Sequence, residues 1–410
     1  MAIHRFHSGL LAFLLVGCAS APKTHQPSRL QFESATEPGW AAPFALQASA
    51  DGSHQLMIGS SYKEQGVMQT SVSSDAGRTF SSSQRSPALF PGGMHNGDIQ
   101  LLFGANRAVL VGDGDQEQPR LNSFTSSDGE HWEKGGSLAI HPVPQVTPVA
   151  HYDAGNKTFA LVGRSEGLDY PLYVSENEGQ DWELKTVSLP NPEGYSKITV
   201  TPPGVWDAPE VAVDTRDRIH WFFPEYKFSD ASGKQVKGSL YLSLDAQGQT
   251  SHAQVEPGQY NSRSGALGEN RSLPDHLYRV ICTEAESKET NRISIPYRLD
   301  FSQSQDGGAS WSPACVLDEH NGMKQIVRVA GDGKLIVVAW RDDRSSQPGL
   351  YCSGSVDGGG HWSEAQRVGE LPAGFHLLVH QGEILLAGWR QGPSWYQPGP
   401  AFCIRGKVGR

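Results

Sequence analysis

The chain has 410 residues, of which 37% are hydrophobic, and a formal net charge of -10. That acidic balance, with no lysine or arginine block, excludes nucleic acid and anionic lipid as charge-driven partners. With 46 glycines, 26 prolines and 5 cysteines, the composition suits short strands joined by turns better than a disulfide-stapled miniature fold.

Residues 1–17 place His4 and Arg5 ahead of an apolar run, LLAFLLVG, too short to cross a bilayer permanently and expected to be an export signal. The segment LVGCAS resembles a bacterial lipobox, whose cysteine is lipidated after cleavage. That resemblance makes Cys18 the lipid anchor and the membrane a partner through it. Ala19 and Ser20 replace the aspartate that retains such proteins at the inner membrane, so the expected location is the cell envelope, at the outer membrane. Residues 18–38 are polar and proline-bearing, as a tether should be, although RLQFES within them can add a strand to a sheet. Residues 39–410 form the remaining domain.

Along that domain, seven β-type apolar runs recur: QLMIGSS, AVLVGDG, FALVGRS, IHWFFPE, LYRVICTE, LIVVAWRD and EILLAGWR. Their length and their β-branched and aromatic content predict strands buried on both faces, read here as the inner strands of successive sheets. Helical periodicity of useful length is absent, and the predicted class is all-β.

A second pattern alternates with the runs. SVDGGGHW (355–362) and SQDGGASW (304–311) match each other fully at serine, aspartate, glycine and tryptophan. SSDAGRTF (73–80), SSDGEHW (126–132), SENEGQDW (175–182) and SLDAQGQT (from 243) are near copies. Their key residues, Asp75, Asp128, Asn177, Asp245, Asp306 and Asp357, are spaced 53, 49, 68, 61 and 51 apart, close to the ~40–50 of propeller blades. Aspartate and serine can bond nearby backbone, glycine permits positive φ and the aromatic covers the turn.

The pattern resembles the Asp-box, or BNR repeat, of sialidase/neuraminidase-like β-propellers, over nearly all of residues 39–410. The resemblance implies a propeller in which these boxes are scaffold turns between the third and fourth strands of each blade, away from the ligand face. Six boxes plus a C-terminal unit predict seven blades, RLQFES supplying the last outer strand; six blades with a rearranged end is the alternative.

The expected ligand face lies where loops converge beyond the apolar runs. Those runs deliver Asp113, Arg164, Glu225 with Tyr226, Glu284, Arg341 and Arg390 to related places. Arginine offers two parallel donors to carboxylate, sulfate or phosphate, so Arg164, Arg341 and Arg390 are candidate ligand-binding residues. Sialidases hold a sugar carboxylate with an arginine triad and use a tyrosine nucleophile with carboxylate acid/base groups, which makes Glu225, Tyr226, Glu284, Asp113 and Asp98 the catalytic candidates by resemblance. The competing reading is inter-blade ion pairing, especially in WRDDR at residues 340–344. The first blade reads PGWAAPFALQASADG, without the Phe/Tyr-Arg-Ile-Pro arginine of sialidases.

Trp206, Trp395 and Tyr396 stand in proline-glycine loops, where flat rings stack on sugars or bury a loop core. Fifteen histidines are scattered without ligand spacing, His95, His276 and His320 falling on connections, and no metal or other cofactor is expected. Cys282, Cys315, Cys352 and Cys403 can pair in three ways, the first two and last two by chain proximity, or stay thiols. The functional expectation is an envelope lipoprotein binding a glycan or another anionic or protein ligand at the propeller funnel. The alternatives are an exo-glycosidase of sialidase type acting on an acidic sugar, and a non-catalytic scaffold of envelope assembly.

Overall fold

The computed structural model describes residues 30–35, 43–48, 55–60, 68–73, 75, 79–81, 84–86, 99–113, 120–139, 151–163, 168–191, 193–199, 209–245, 247–258, 262–284, 297–344, 346–394 and 397–409. All regular elements among them are strands. They form seven antiparallel sheets, six with four strands and one with five, spanning in chain order residues 43–86, 99–139, 151–188, 195–258, 262–318, 324–369 and 372–408.

Each sheet's innermost strand touches the innermost strands of both neighbours. The series Pro43–Ala48, Ile99–Phe103, His151–Ala154, Glu210–Val213, Ser262–Glu269, Lys324–Asp332 and Pro372–His380 returns to its start, because the first and last of these also touch. Such a ring is a β-propeller, a closed architecture that leaves no long edge unprotected. In the seventh sheet the outermost strand is Leu30–Phe32, paired antiparallel with Gln397–Val408 through Leu30↔Val408 and Phe32↔Gly406. The expected strand from RLQFES is therefore present, and the folded unit begins before residue 39.

The apolar runs are the second strands of their sheets, which corrects their reading as inner strands. A second strand has a strand on either side and a sheet on either face, so Leu335–Asp342 is almost continuously buried. The innermost Lys324–Asp332 alternates buried and half-buried residues along its length. One of its faces packs and the other lines the ring axis, giving the weaker period-2 signal.

The two ends of the ring differ. At one end, here the turn pole, tight turns join first to second strands and the Ser-x-Asp sequences join third to fourth. In those turns Ser304 Oγ donates to Asp306 Oδ1 at 2.8 Å and the Ser310 N–H donates to the same oxygen at 2.8 Å. Ser355 with Asp357, and Ser175 with Asn177, repeat the serine bond at 2.8 and 3.0 Å.

The turns also join neighbouring sheets. Asn106 donates to both Glu178 oxygens at 2.9 Å, from backbone and side chain, and Gln303 Nε2 donates to the Gly358 carbonyl at 3.1 Å. Trp311 of the fifth sheet packs on Tyr241 of the fourth, and Trp362 of the sixth on Phe301 of the fifth, at 5.1 and 4.6 Å between ring centroids. First-to-second-strand turns link up as well: Asn156 Nδ2 to the Thr215 carbonyl at 2.6 Å, Arg218 to Asp275 at 2.5 Å, Ser272 to Asp332, and the Gln381 N–H to Asp332 at 2.5 Å.

Cys282, Cys315, Cys352 and Cys403 are thiols and form no disulfides, contrary to the proposed pairing of the first two and last two. Cys282 pairs with Leu299 on the third strand of its sheet, while Cys315 pairs with Phe301 from that strand's far side. Two strand spacings, roughly 10 Å, exceed the reach of a disulfide. Cys352 and Cys403 lie on different sheets.

Candidate functional site

The opposite end, the open pole, carries the connections between sheets and those between second and third strands. Arg341 stands one residue from the end of its strand, Leu335–Asp342, and Arg390 lies on Glu383–Ser394, the second strand of the seventh sheet. Arg341 Nη1 donates to the Pro372 carbonyl at 3.1 Å, and Pro372 is the register partner of Arg390. The Arg341 side chain therefore reaches from the sixth sheet to the residue that pairs with Arg390 through the backbone of the seventh. Each also has a carboxylate: Arg341 Nε pairs with Asp343 at 3.1 Å and Arg390 Nε with Glu370 at 3.0 Å. The acids are the more exposed partners, with Glu370 67% exposed against 29% for Arg390.

Beneath them lies a buried ionic network. Lys324, at the start of its innermost strand, is fully buried; its Nζ donates to the carbonyls of Tyr297 at 2.9 Å and His320 at 2.7 Å and lies 3.2 Å from Asp318 Oδ2. Arg344 bonds Asp318 at 2.8 Å and Asp342 at 2.5 Å, and its guanidinium sits 4.0 Å over the Tyr351 ring. Burial lowers the Arg344 pKa, but Asp342 and Asp318 raise it by more, so the residue stays a cation. Trp340 Nε1 closes the network on Asp342 at 3.1 Å. WRDDR is thus largely the ion-pair structure that its sequence suggested, with Arg341 at its solvent edge.

A second polar set belongs to the ring axis. Asp153, on the third innermost strand, accepts from the Val213 N–H on the fourth at 2.8 Å. Burial pushes its carboxyl up to about 6 against those backbone donors and Arg271. Glu269, on the fifth innermost strand, is also pushed up, by burial and by Asp153, and its Oε2 has no hydrogen-bond partner. These positions were missed in the sequence. Asp153 in HYDAG reads as a turn residue, and Lys324 and Asp318 carry no motif at all.

Among the catalytic candidates, Tyr226 departs from expectation. Its ring is buried among Phe223, Phe228 and Tyr170, and its hydroxyl shares a 2.5 Å hydrogen bond with the Tyr170 hydroxyl. A phenol sealed in the core by a second phenol cannot reach a substrate. A register shift between Phe223 and Tyr226 explains the placement, because this bulge spans Pro224 and half-buried Glu225 and turns the next side chain inward. Asp113 and Glu284 end their second strands, and only their backbones are described. Asp98, Arg164, Trp206, Trp395, Tyr396 and Cys18 lie outside the described residues. Asp75, Asp128, Asn177, Asp245, Asp306 and Asp357 all stand in the turns of the opposite pole.

The described residues at the open pole can therefore recognise an anion, through guanidiniums whose acid partners face water, and exposed His320, its Nδ1 2.5 Å from Asp318, adds an imidazole–carboxylate pair there. No group of three His, Cys, Asp or Glu poised to hold a metal ion is found among the described residues.

No protein-family model and no curated protein matches the sequence. Solved structures do resemble the chain. A polysaccharide lyase, Uly1, aligns with a TM-score of 0.51 at 9% identity, covering 91% of this chain and 91% of its own. A PL25 ulvan lyase aligns at 0.50 and 11% identity over 92% of this chain and 96% of its own. The α-L-arabinofuranosidase Arb93A of Fusarium graminearum aligns at 0.46 and 12% identity over 77% of this chain and 95% of its own. The two lyases share the fold over nearly the whole length, and identities this low carry the fold alone.

Proposed function

We propose that this chain is a carbohydrate-binding propeller that takes an acidic polysaccharide at its open pole. The observation behind this reading is that Arg341 by its side chain and Arg390 by its backbone register both meet Pro372, each guanidinium paired with a carboxylate that an incoming acidic group can replace. The likeness of the fold to polysaccharide lyases supports the ligand class. In this reading the seven sheets are seven blades, the Ser-x-Asp turns are Asp-boxes of the sialidase-like kind, and the chain is held in the bacterial envelope, at the outer membrane, by lipid on Cys18.

The test is calorimetric titration of the detergent-solubilised chain with polygalacturonate, a sulfated polysaccharide and neutral arabinan. Arg341→Gln and Arg390→Gln should each weaken binding of the charged polymers about tenfold or more, the scale of a lost charge-assisted bond, and leave arabinan unaffected. Equal binding of all three polymers by the parent and both variants rejects the reading. The same mixtures, followed for ultraviolet absorbance of unsaturated uronate and for reducing ends, separate a binder from a lyase or a glycosidase.

A further inference from the structure

The first described strand fixes the place from which the N-terminal segment leaves. Leu30 pairs with Val408 and packs with Leu335, Val356 and Ile384. Leu335 begins a second strand just after the turn at Gly333, and Val356 belongs to the Ser355–Trp362 turn. Leu30 is therefore at the turn pole, on the outer edge of the seventh sheet. The chain then runs toward the open pole through Phe32, whose partner is Gly406, and Glu33, whose N–H donates to the Arg405 carbonyl at 2.7 Å. Whatever precedes residue 30 departs at the turn pole, away from Arg341 and Arg390.

We infer that the propeller is held with its turn pole toward the lipid surface and its arginine-bearing pole away from it, an orientation that rests on Cys18 being the anchor. Eleven residues, 19–29, separate Cys18 from Leu30. Fully extended they reach ~36–40 Å, and a relaxed chain of that length spans about 20 Å. From the exit point, the second strand of the seventh sheet climbs 7 residues to Arg390, roughly 23 Å, and 11 residues to its end, roughly 36 Å. Bringing the open pole to the bilayer consumes most or all of the leash; bringing the turn pole there consumes almost none.

The charge of that pole sets a stand-off. Asp128, Asp245, Asp306 and Asp357 are exposed in its turns. Slight burial pushes the Asp128 carboxyl up, but the N–H and ring of His131 and the N–H of Glu130 pull it well below the ordinary range. The same pole also exposes Lys157, Arg216 and Lys334, and a surface charged in both signs stays out of the hydrocarbon. The pole faces the membrane without inserting, leaving the opposite pole open to polymers arriving from the aqueous side.

The experiment uses the full chain, isolated from a bacterial membrane and reconstituted in liposomes whose headgroups carry a fluorescence quencher. Single cysteines are placed at the turn pole, His131→Cys or His361→Cys, and at the open pole, Glu193→Cys or Glu319→Cys, in a Cys315→Ser background. These four positions are exposed, while Cys282, Cys352 and Cys403 are buried. Turn-pole probes should be quenched at least twofold more than open-pole probes, and about thirty Gly/Ser residues inserted after Ser20 should abolish the difference. A chain with lipid mass on Cys18 but equal or reversed quenching overturns the orientation alone. A chain whose intact mass shows no lipid overturns the anchor reading and the orientation with it. Loss of polysaccharide binding with the quenching pattern intact rejects only the ligand.

Discussion

The Tyr241 hydroxyl of the fourth sheet donates to the Gly307 carbonyl of the fifth sheet at 3.2 Å, and lies 2.8 Å from Nδ1 of the fully buried His220. Nε2 of His220 stands 3.1 Å from Asp214, which Arg218 also bonds. Burial pushes the Asp214 carboxyl up, but His220 and Arg218 outweigh it and leave the group at about 2. One Ser-x-Asp turn thus rests on a buried chain of phenol, imidazole and carboxylate in its neighbour, so the turns join blades as well as shaping them.

Substitution at this seam should be costly for a steric reason. A Cβ at Gly308 would fall inside the Tyr241 hydroxyl, at a φ of +88°, whereas one at Gly358, at +78°, meets nothing within 4 Å. Gly358→Ala should cost about 1 kcal/mol through its backbone alone, and Gly308→Ala about 3 kcal/mol or more. Urea unfolding midpoints of the two variants check this; equal losses would mean that the seam repacks freely.

The buried network below Arg341 predicts a large effect of removing one charge. Lys324→Met leaves Asp342 with Arg344, and Asp318 with Arg344 and the exposed His320 ring. The expected loss is about 3–5 kcal/mol, the range for breaking a buried pair from one side. Denaturant unfolding measures it, and a loss below about 1 kcal/mol would show that water enters the site.

The axial carboxyls predict a stability that falls as pH rises. A carboxyl whose pKa is higher in the folded protein than in the unfolded chain favours folding most below about pH 4, and that advantage is lost as pH climbs through the folded value. For Asp153 this window runs from about 4 to about 6. Asp128, Asp214 and Asp357 act in the opposite sense, being held low in the fold and losing their contribution as pH falls. The parent profile is a sum of both, so the diagnostic quantity is a difference. Asp153→Asn should gain on the order of 2–3 kcal/mol over the parent between pH 4 and 7. A difference that does not vary with pH over that window would rule out a raised pKa.

Cutting the chain after residue 34 should destabilise a domain that sequence boundaries alone would leave intact. It removes the strand Leu30–Phe32 and the burial of Leu30, which is 6% exposed. Lost burial is worth about 2–3 kcal/mol for the leucine alone, and the bared edge of Gln397–Val408 invites association. Thermal unfolding and light scattering of the shortened chain against one retaining residues 21–410 test it.

How far the sequence could be read depends on which signals are local. The Ser304–Asp306 and Ser355–Asp357 bonds are made within a single turn, and their residues announce it. The buried second strands are long apolar runs, equally plain; the innermost strands, such as Lys324–Asp332, alternate buried and half-buried residues and carry no comparable run. Tyr226 was misplaced because one bulge at Pro224–Glu225 reverses which side chain faces the core, and nothing in IHWFFPEY marks where a strand shifts register. Lys324 with Asp318, and Asp153 with Glu269, meet only because separate strands are brought together around the ring, so no spacing along the chain could reveal them.

The pairing of Leu30–Phe32 with Gln397–Val408 also sets an order of events. The first described strand finds its partner in the last, so the seventh sheet cannot be completed until residue 408 has been synthesised. Contacts this far apart in sequence form late and slowly. The clasp between the first and last of these strands is therefore among the latest parts of the fold to fasten.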